Sequence, residues 1–467
     1  MKKTIGIQIS PDSFVDEGTD KTLDLLQERG GVNTIYLSTF SYDRGITGRQ
    51  IPSRPFPDHG AQVSDESYFH GGNYATPHPQ FYKNTAIKGD KLRAPDFGKL
   101  DIVAEVLPAA KKRGMSVVCS VQDGFNYPAD VPFFKDFAEV DIQGRKGGAM
   151  CFLQPDVGEF WKSVAVDLCS SYDIDGVLLF NERNGPLLNA IGVSHAQAID
   201  SANVTCFCQH HQRAAKEHGL DFGRVEEGYL KLNQYVLNSL NNKRPSDGYY
   251  VEFSRLLIEY PEIMAYNQLF DLGKHQVLKE VYTAVKGIRK TLQVGFHIEH
   301  TNSFNPLYRA SRSYEELASM ADFLKVVVYN NCGGERYRNF IRNITSTVFR
   351  DVPQEEVLRI SNHLLNYANE APLDELPMAG LSPDYVFRET QRAKAGVNGK
   401  SLILPGIDVN IPTGAKSRKV SPDDTYAATM AAFKGGADGV ILSRKYSEMM
   451  LANLSAAGRA VRDAEKG

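Results

Sequence analysis

Eight short β-branched or apolar runs, each followed by a polar loop and a segment of helical period, recur at residues 4–9, 34–38, 116–121, 176–180, 293–298, 323–329, 401–407 and 439–443. Helical patterning fills the intervals at 21–29, 101–112, 160–172, 249–290, 314–320, 336–342 with 353–367, 422–434 and 446–464. Several runs follow a Gly- or Asp-bearing turn, such as Arg113-Gly114, Asp173-Ile174-Asp175-Gly176 and Gly435-Gly436-Ala437-Asp438-Gly439. Such turns end a helix and return the chain to a sheet. This alternation calls for a parallel sheet with right-handed crossovers. Eight repeats close most naturally as a (β/α)8 TIM barrel. The rival is an open doubly wound sheet, which places a Gly-rich phosphate turn after its first strand. Ile9-Ser10-Pro11-Asp12-Ser13 is not such a turn.

A barrel with insertions can absorb all 467 residues in one unit, so a single barrel over 1–467 is expected. Two interruptions are long. Residues 41–95, after the second run, form an insertion or lid rich in aromatics (Phe40 at its edge, Tyr42, Phe56, Tyr68, Phe69, Tyr74, Phe81, Tyr82) with His59, His70 and His78. It either packs on itself or touches a sugar. Residues 183–247, after the fourth run, form a helical insertion with helices near 208–217 and 223–240. Both leave the carboxyl ends of strands, the face where barrels carry their active sites.

Charge and cysteine content remove several classes of function. Lys and Arg number 53 against 56 Asp and Glu, so no cationic excess exists to draw in a phosphate backbone, and nucleic acid is not an expected partner. No apolar run reaches the roughly 18 residues that span a bilayer, so no membrane is expected either. The run after Lys2-Lys3 is too short and, with Gln8 and Ser10, too polar for a signal peptide. A cytoplasmic protein is expected, or an exported one whose signal has been removed. Six cysteines in so long a chain make no disulfide framework and suit a reducing compartment.

Side chains alternate along a strand, so parity selects those that face the barrel mouth. In the fourth run Gly176, Leu178, Phe180 and Glu182 share a face, with Asn181 alongside. Gly295, His297 and Glu299 align in the fifth, and Leu404, Gly406 and Asp408 in the seventh. The first run offers Gln8 and Ser10, the third Asp123, and the sixth ends in Tyr329-Asn330-Asn331. The expected mouth thus holds at least three carboxylates and few cations. Paired carboxylates are the apparatus of glycoside hydrolysis, one protonating the leaving oxygen and one stabilising or attacking the anomeric carbon. Their environments must differ so that one remains an acid near neutrality. Glu182 is the expected proton donor and Asp408 or Glu299 the second carboxylate. Asn181, His297, Gln8, Tyr329, Asn330, Asp123 and Arg183 are the expected substrate-binding residues. For His297 a satisfied core histidine stands as the plain alternative.

The segment Gly176-Val177-Leu178-Leu179-Phe180-Asn181-Glu182 resembles the strand-four Asn-Glu of clan A glycoside hydrolases. The resemblance implies that Glu182 is the general acid/base and that Asn181 contacts the sugar 2-hydroxyl. Cys206-Phe207-Cys208-Gln209-His210-His211 is similar to the Cys-aromatic-Cys-x-x-Cys segment of the zinc-containing β-galactosidases of that clan. More closely, residues 151–192 resemble a group of bacterial glycosidase-like barrels of unsettled substrate. The likeness covers the middle third well and the rest only as barrel architecture.

Departures from the pattern matter. Clan A has a Glu nucleophile at the end of strand seven, where this chain has Asp408, one methylene shorter; Glu299 is the alternative. Their spacing from Glu182 would separate retaining from inverting chemistry, at roughly 5–5.5 Å against 6.5–9.5 Å. His211 replaces the third cysteine, and only Cys151 and Cys119 offer a fourth ligand. A structural zinc at Cys206, Cys208 and His211 is therefore set against the preferred expectation, a vestigial cluster or cysteines buried as small hydrophobes. No cofactor is otherwise required, and a catalytic zinc of the amidohydrolase kind lacks its His-x-His. Ser443-Arg444 resembles the strand-eight end of phosphate-binding barrels, but the nearby glycines precede the strand and serve its turn. Trp161 is the single tryptophan, which disfavours a long polysaccharide groove and favours a short glycan or glycoside.

Two rival functions remain. One is a sugar or sugar-phosphate isomerase, lyase or aldolase using Glu299 and His297, with or without a divalent metal. The other is a non-catalytic carbohydrate-binding barrel. The expected partner is a small carbohydrate, and the sequence leaves room for a homo-oligomer.

Overall fold

The computed structural model of the chain describes residues 3–50, 54–62, 69–124, 131, 134–192 and 199–466. Strands covered on both faces read as nearly continuous apolar runs, and those runs become β1 (Thr4–Ile9), β2 (Thr34–Ser41), β3 (Ser116–Gln122), β4 (Gly176–Phe180), β5 (Gln293–Ile298), β6 (Phe323–Val327), β7 (Leu402–Asp408) and β8 (Gly439–Ser443). Each pairs in parallel with the next, and β8 closes on β1 through Ile5 opposite Val440. The product is a closed (β/α)8 barrel. The sixth run stops at Val327 instead of continuing to 329, because Tyr329 caps the helix Asn330–Thr345.

Two apolar layers hold the barrel. Tyr36, Val118, Leu178, Phe180, Phe323, Leu404 and Ile441 fill its interior, while the alternate strand residues pack outward against the helices. Tyr36 and Phe323 meet edge to face at 5.8 Å across the interior. Each ring needs a glycine opposite. A Cβ on Gly6 would lie 2.3 Å from the Tyr36 ring, and one on Gly295 would lie 2.1 Å from the Phe323 ring.

Even-numbered strands are locked to their predecessors by one device. Asn33, Asp175, Asp322 and Asp438, each standing just before an even strand, accept the backbone amides of Ile5, Val117, Val294 and Ile403 at 2.8–3.0 Å. The side chain supplies an acceptor at the strand entry and helps set register.

Helices fill the expected intervals, with short further ones such as Pro11–Glu17 and Pro306–Ser311 and two larger differences. The stretch 249–290 is two helices, Tyr249–Glu259 and Glu262–Ile288, broken at Pro261, which has no amide to donate. A helix not anticipated, Pro383–Gly396, opens on a Ser382 cap with proline in its first turn. After β2, a short strand Gly72–Asn73 pairs back antiparallel. Phe40, Tyr42, Tyr74 and Tyr82 are buried there, with Phe40 against Phe160 and Trp161 at 6.0 and 5.4 Å. These aromatics serve packing; Tyr68 lies outside the described residues. After β4 come the helices Gln209–Glu217 and Phe222–Leu240. Among the described residues no helix is long and apolar enough to cross a membrane.

Candidate active site

Strand parity carries past the end of β4, so Glu182 faces the mouth with its side chain 36% exposed. Its Oε1 lies 2.6 Å from Nε2 of His297, which β5 presents and which stacks on Phe180 at 4.5 Å. Behind the imidazole, on β6, stands Lys325. It is wholly buried, and its Nζ is 3.4 Å from His297 Nδ1. The same ammonium donates to Gln8 Oε1 at 2.6 Å and to the Tyr329 hydroxyl at 2.8 Å, and Ser443 Oγ donates to Gln8 Oε1 at 2.7 Å. Gly406 leaves the room: a Cβ there would come within 3.1 Å of Lys325 Cε and 2.9 Å of the Tyr329 ring. The barrel thus joins Gln8, Glu182, His297, Lys325, Tyr329 and Ser443 from five strands.

The charges follow from burial. An ammonium only donates, so Nδ1 of His297 accepts from Lys325 and its proton sits on Nε2, directed at Glu182. Burial, reinforced by the Lys325 charge, holds His297 down to about 4, so it is neutral at neutral pH. Burial brings Lys325 down to about 7, against the pull of Glu182. Sequence reasoning missed Lys325. The signal was a lone lysine at the inward parity of an apolar run, between Phe323 and Val327, where a polar residue needs a functional or networked reason.

The other two carboxylates have buried partners of their own. Glu299 is 4% exposed; Tyr308 donates to it and Arg312 Nη1 lies 3.0 Å away. Arg312 also pairs with Asp271 at 2.6 Å. Burial raises Glu299 to about 7, opposed by Arg312 and Lys274. The strand ends one residue earlier, at Ile298, and His300 already has helical backbone angles. Asp408 is fully buried, and its two oxygens accept the amides of Cys332 at 2.9 Å and Ile411 at 3.0 Å. Burial raises its carboxyl as well.

Asp123 pairs with Arg183 at 2.6 Å and accepts from Asn181 at 2.8 Å. Arg183 also reaches Glu139 at 2.9 Å and the Met150 carbonyl at 2.6 Å, and it lies over the Phe152 ring. It pins the end of β3 and the hairpin Ala138–Met150 to the loop that carries Glu182. Asn330 donates to Leu381 O at 3.3 Å, which serves helix packing. Cations are more numerous near the mouth than parity alone implied. Besides Lys325, Arg336 donates to His300 Nδ1 at 3.2 Å, and Arg444 pairs with Glu448 at 2.7 Å.

A second cluster stands beside the hairpin. Cys151, Cys206, Cys208 and His211 are all buried, with ligand atoms within 4.8 Å of one another. The Sγ atoms of Cys151 and Cys208 are 3.5 Å apart, and they lie 3.3 and 3.7 Å from His211 Nδ1. A tetrahedral zinc with Zn–S of about 2.3 Å and Zn–N of about 2.0 Å sets ligand separations of about 3.5–3.8 Å, so the donors suit a structural zinc. Val140 N donates to Cys206 Sγ at 3.3 Å, in the manner of support around a metal thiolate. The fourth member is Cys151. Cys119 lies instead in the outer core of β3, where burial pushes its thiol up to about 12.

No protein-family model matches the chain, and no curated protein matches its sequence. Solved structures do match. α-L-Fucosidase isoenzyme 2 from Paenibacillus thiaminolyticus superposes with a TM-score of 0.50 at 12% identity, over 99% of this chain and 49% of that one. A β-galactosidase from the psychrophilic Marinomonas ef1 gives 0.53 at 11%, over 99% and 59%. A polyextremophilic β-galactosidase from the Antarctic haloarchaeon Halorubrum lacusprofundi gives 0.53 at 12%, over 99% and 58%. The chain therefore spans about half to three-fifths of the length of these structures. At such identities the likeness establishes a shared fold, the parallel eight-stranded barrel.

Proposed function

We propose that this chain is a glycoside hydrolase acting on a short glycan or glycoside at the carboxyl end of its barrel, with Glu182 passing a proton to the leaving oxygen. One observation carries the reading: a strand-end carboxylate, open to the mouth, is aimed by a buried imidazole 2.6 Å away on the neighbouring strand. Asp408 is the preferred second carboxylate. Its amide donors orient it without cancelling its charge, whereas Arg312 neutralises Glu299. Because Asp408 is buried, this role requires substrate to open a path to it. Gln8 and Tyr329 shape the floor, Asn181 lies beside the acid, and Asp123, Arg183 and Asn330 brace the walls. The matched barrels, an α-L-fucosidase and two β-galactosidases, share this fold, which agrees with the reading.

Cys151, Cys206, Cys208 and His211 are proposed to hold a structural zinc. Bound there, the ion would act as a cross-link. Thr205, next to the cluster, donates to Glu139 at 2.5 Å, and Glu139 holds Arg183, so the cluster steadies the loop behind Glu182.

A non-catalytic carbohydrate-binding barrel is the second reading, favoured by the burial of both partners offered to Glu182. Turnover of a panel of aryl and alkyl glycosides by wild type and Glu182→Gln separates the two. Hydrolysis that falls by on the order of 10²-fold or more in the variant, most steeply for poor leaving groups, supports the enzyme. Binding without turnover supports the second reading, and unchanged turnover in the variant rejects the role of Glu182.

A further inference from the structure

Lys325 is the buried group that the hydrolase reading leaves unused. It lies at the centre of the barrel with its ammonium shared among three acceptors, one of which is the imidazole that touches Glu182. Resting on that reading, we propose that Lys325 and His297 form a proton relay that loads Glu182 with the proton it delivers. The step balances. Lys325 Nζ gives a proton to His297 Nδ1, and His297 gives its Nε2 proton to the Glu182 carboxylate. An ammonium and a carboxylate become an amine and a carboxylic acid, and the imidazole changes tautomer without changing charge. After the leaving oxygen takes the proton, a proton from solvent restores Lys325 by the reverse path.

Geometry and surroundings support the relay. The two transfers run along contacts of 3.4 and 2.6 Å at opposite nitrogens of a single ring. The ring is clamped by Phe180. Among the described residues, the charged or titratable groups around the relay include Glu182 on the loop after β4, His297 on β5, Tyr329 beyond β6 and Arg336 and Cys332 on the helix after it, with Glu299 after β5 acting on Glu182 and Arg444 after β8 on Tyr329. Gln8 from β1 and Ser443 from β8 are neutral. Burial raises the Tyr329 phenol, so it accepts from Lys325 and does not compete as an acid near neutrality. Holding Lys325 near 7 matches the reservoir to the pH at which it must give up its proton.

The direct test is ring-nitrogen NMR on protein labelled with 15N-histidine, with His297 assigned by its loss in His297→Gln. In wild type at pH 6 to 7, Nε2 should carry the proton and Nδ1 should show the shift of an unprotonated, hydrogen-bonded nitrogen. Wild type alone decides this point, so the test does not depend on a variant that folds. Lys325→Met should shift the His297 ring signals. It should also abolish the limb near 7 in the pH–rate profile and lower kcat on a poor leaving group by on the order of 10²-fold. The loss should be much smaller on an activated aryl glycoside, whose leaving group needs little help from an acid. A wild-type His297 protonated on Nδ1, or a variant with unchanged ring shifts and unchanged leaving-group dependence, would overturn the relay. If the expected tautomer is found in a protein that cleaves no glycoside, the relay geometry stands and the hydrolase reading falls.

Discussion

Glu182 Oε1 and His297 Nε2 meet at 2.6 Å from adjacent strands, the carboxylate side chain about one-third open and the imidazole side chain 2% exposed. This contact joins a solvent-facing acid to a buried polar file through the barrel centre.

Lys325 makes stability depend on pH. Its folded value of about 7 lies below the ordinary lysine value of 10.5, so between those limits the unfolded chain binds more protons than the folded one. Stability attributable to this group therefore rises with pH from 7 towards 10.5, by up to about 1.4 kcal/mol per pH unit. Urea unfolding at pH 7, 8 and 9 should show wild type gaining on Lys325→Met across the series. A constant difference would contradict the buried charge.

Glu299 is expected to act on stability. Replacing it with Gln leaves Arg312 paired with Asp271 but removes one buried ion pair, and the expected cost is about 1–3 kcal/mol. Denaturant curves measure the loss. The leaving-group dependence of the folded variant should match wild type, and a selective collapse of kcat would instead place Glu299 in the chemistry.

The cysteine cluster predicts a metal. Elemental analysis of protein purified without chelator should find about one zinc per chain, and Cys151→Ser should remove it and lower Tm. Full-length protein with no bound metal and a Tm unchanged by Cys151→Ser would show a metal-free thiol cluster.

The acidic locks before the even strands predict a loss confined to stability. Asp175→Ala removes the acceptor for Val117 N and should cost about 1–2 kcal/mol with kcat/KM unchanged. Equal stability to wild type would show that the amide finds another partner.

The barrel was legible because its strands are covered on both faces, so β-branched or apolar runs marked all eight, and Asp- or Gly-bearing turns preceded several of them. The site was legible only as far as alternation holds. Gln8, Glu182, His297 and Tyr329 come together around Lys325, whereas Glu299 stands just past the end of β5 and is held by Tyr308 and Arg312. Asp408 keeps its parity, yet the amides of Cys332 and Ile411 close over it, and no local pattern announces contacts made by separate loops. Lys325 was hidden by the apolar run around it. Cys151 stands 57 residues before Cys208, beyond any short ligand spacing.

A crystal structure of Glu182→Gln with an uncleaved glycoside decides the role of Glu182. The glycosidic oxygen should lie within about 2.6–3.2 Å of the residue 182 side chain, with Asp408 approaching the opposite face of the sugar ring. A sugar bound away from residue 182, or bound in the mouth with its glycosidic oxygen turned from that side chain, would contradict it.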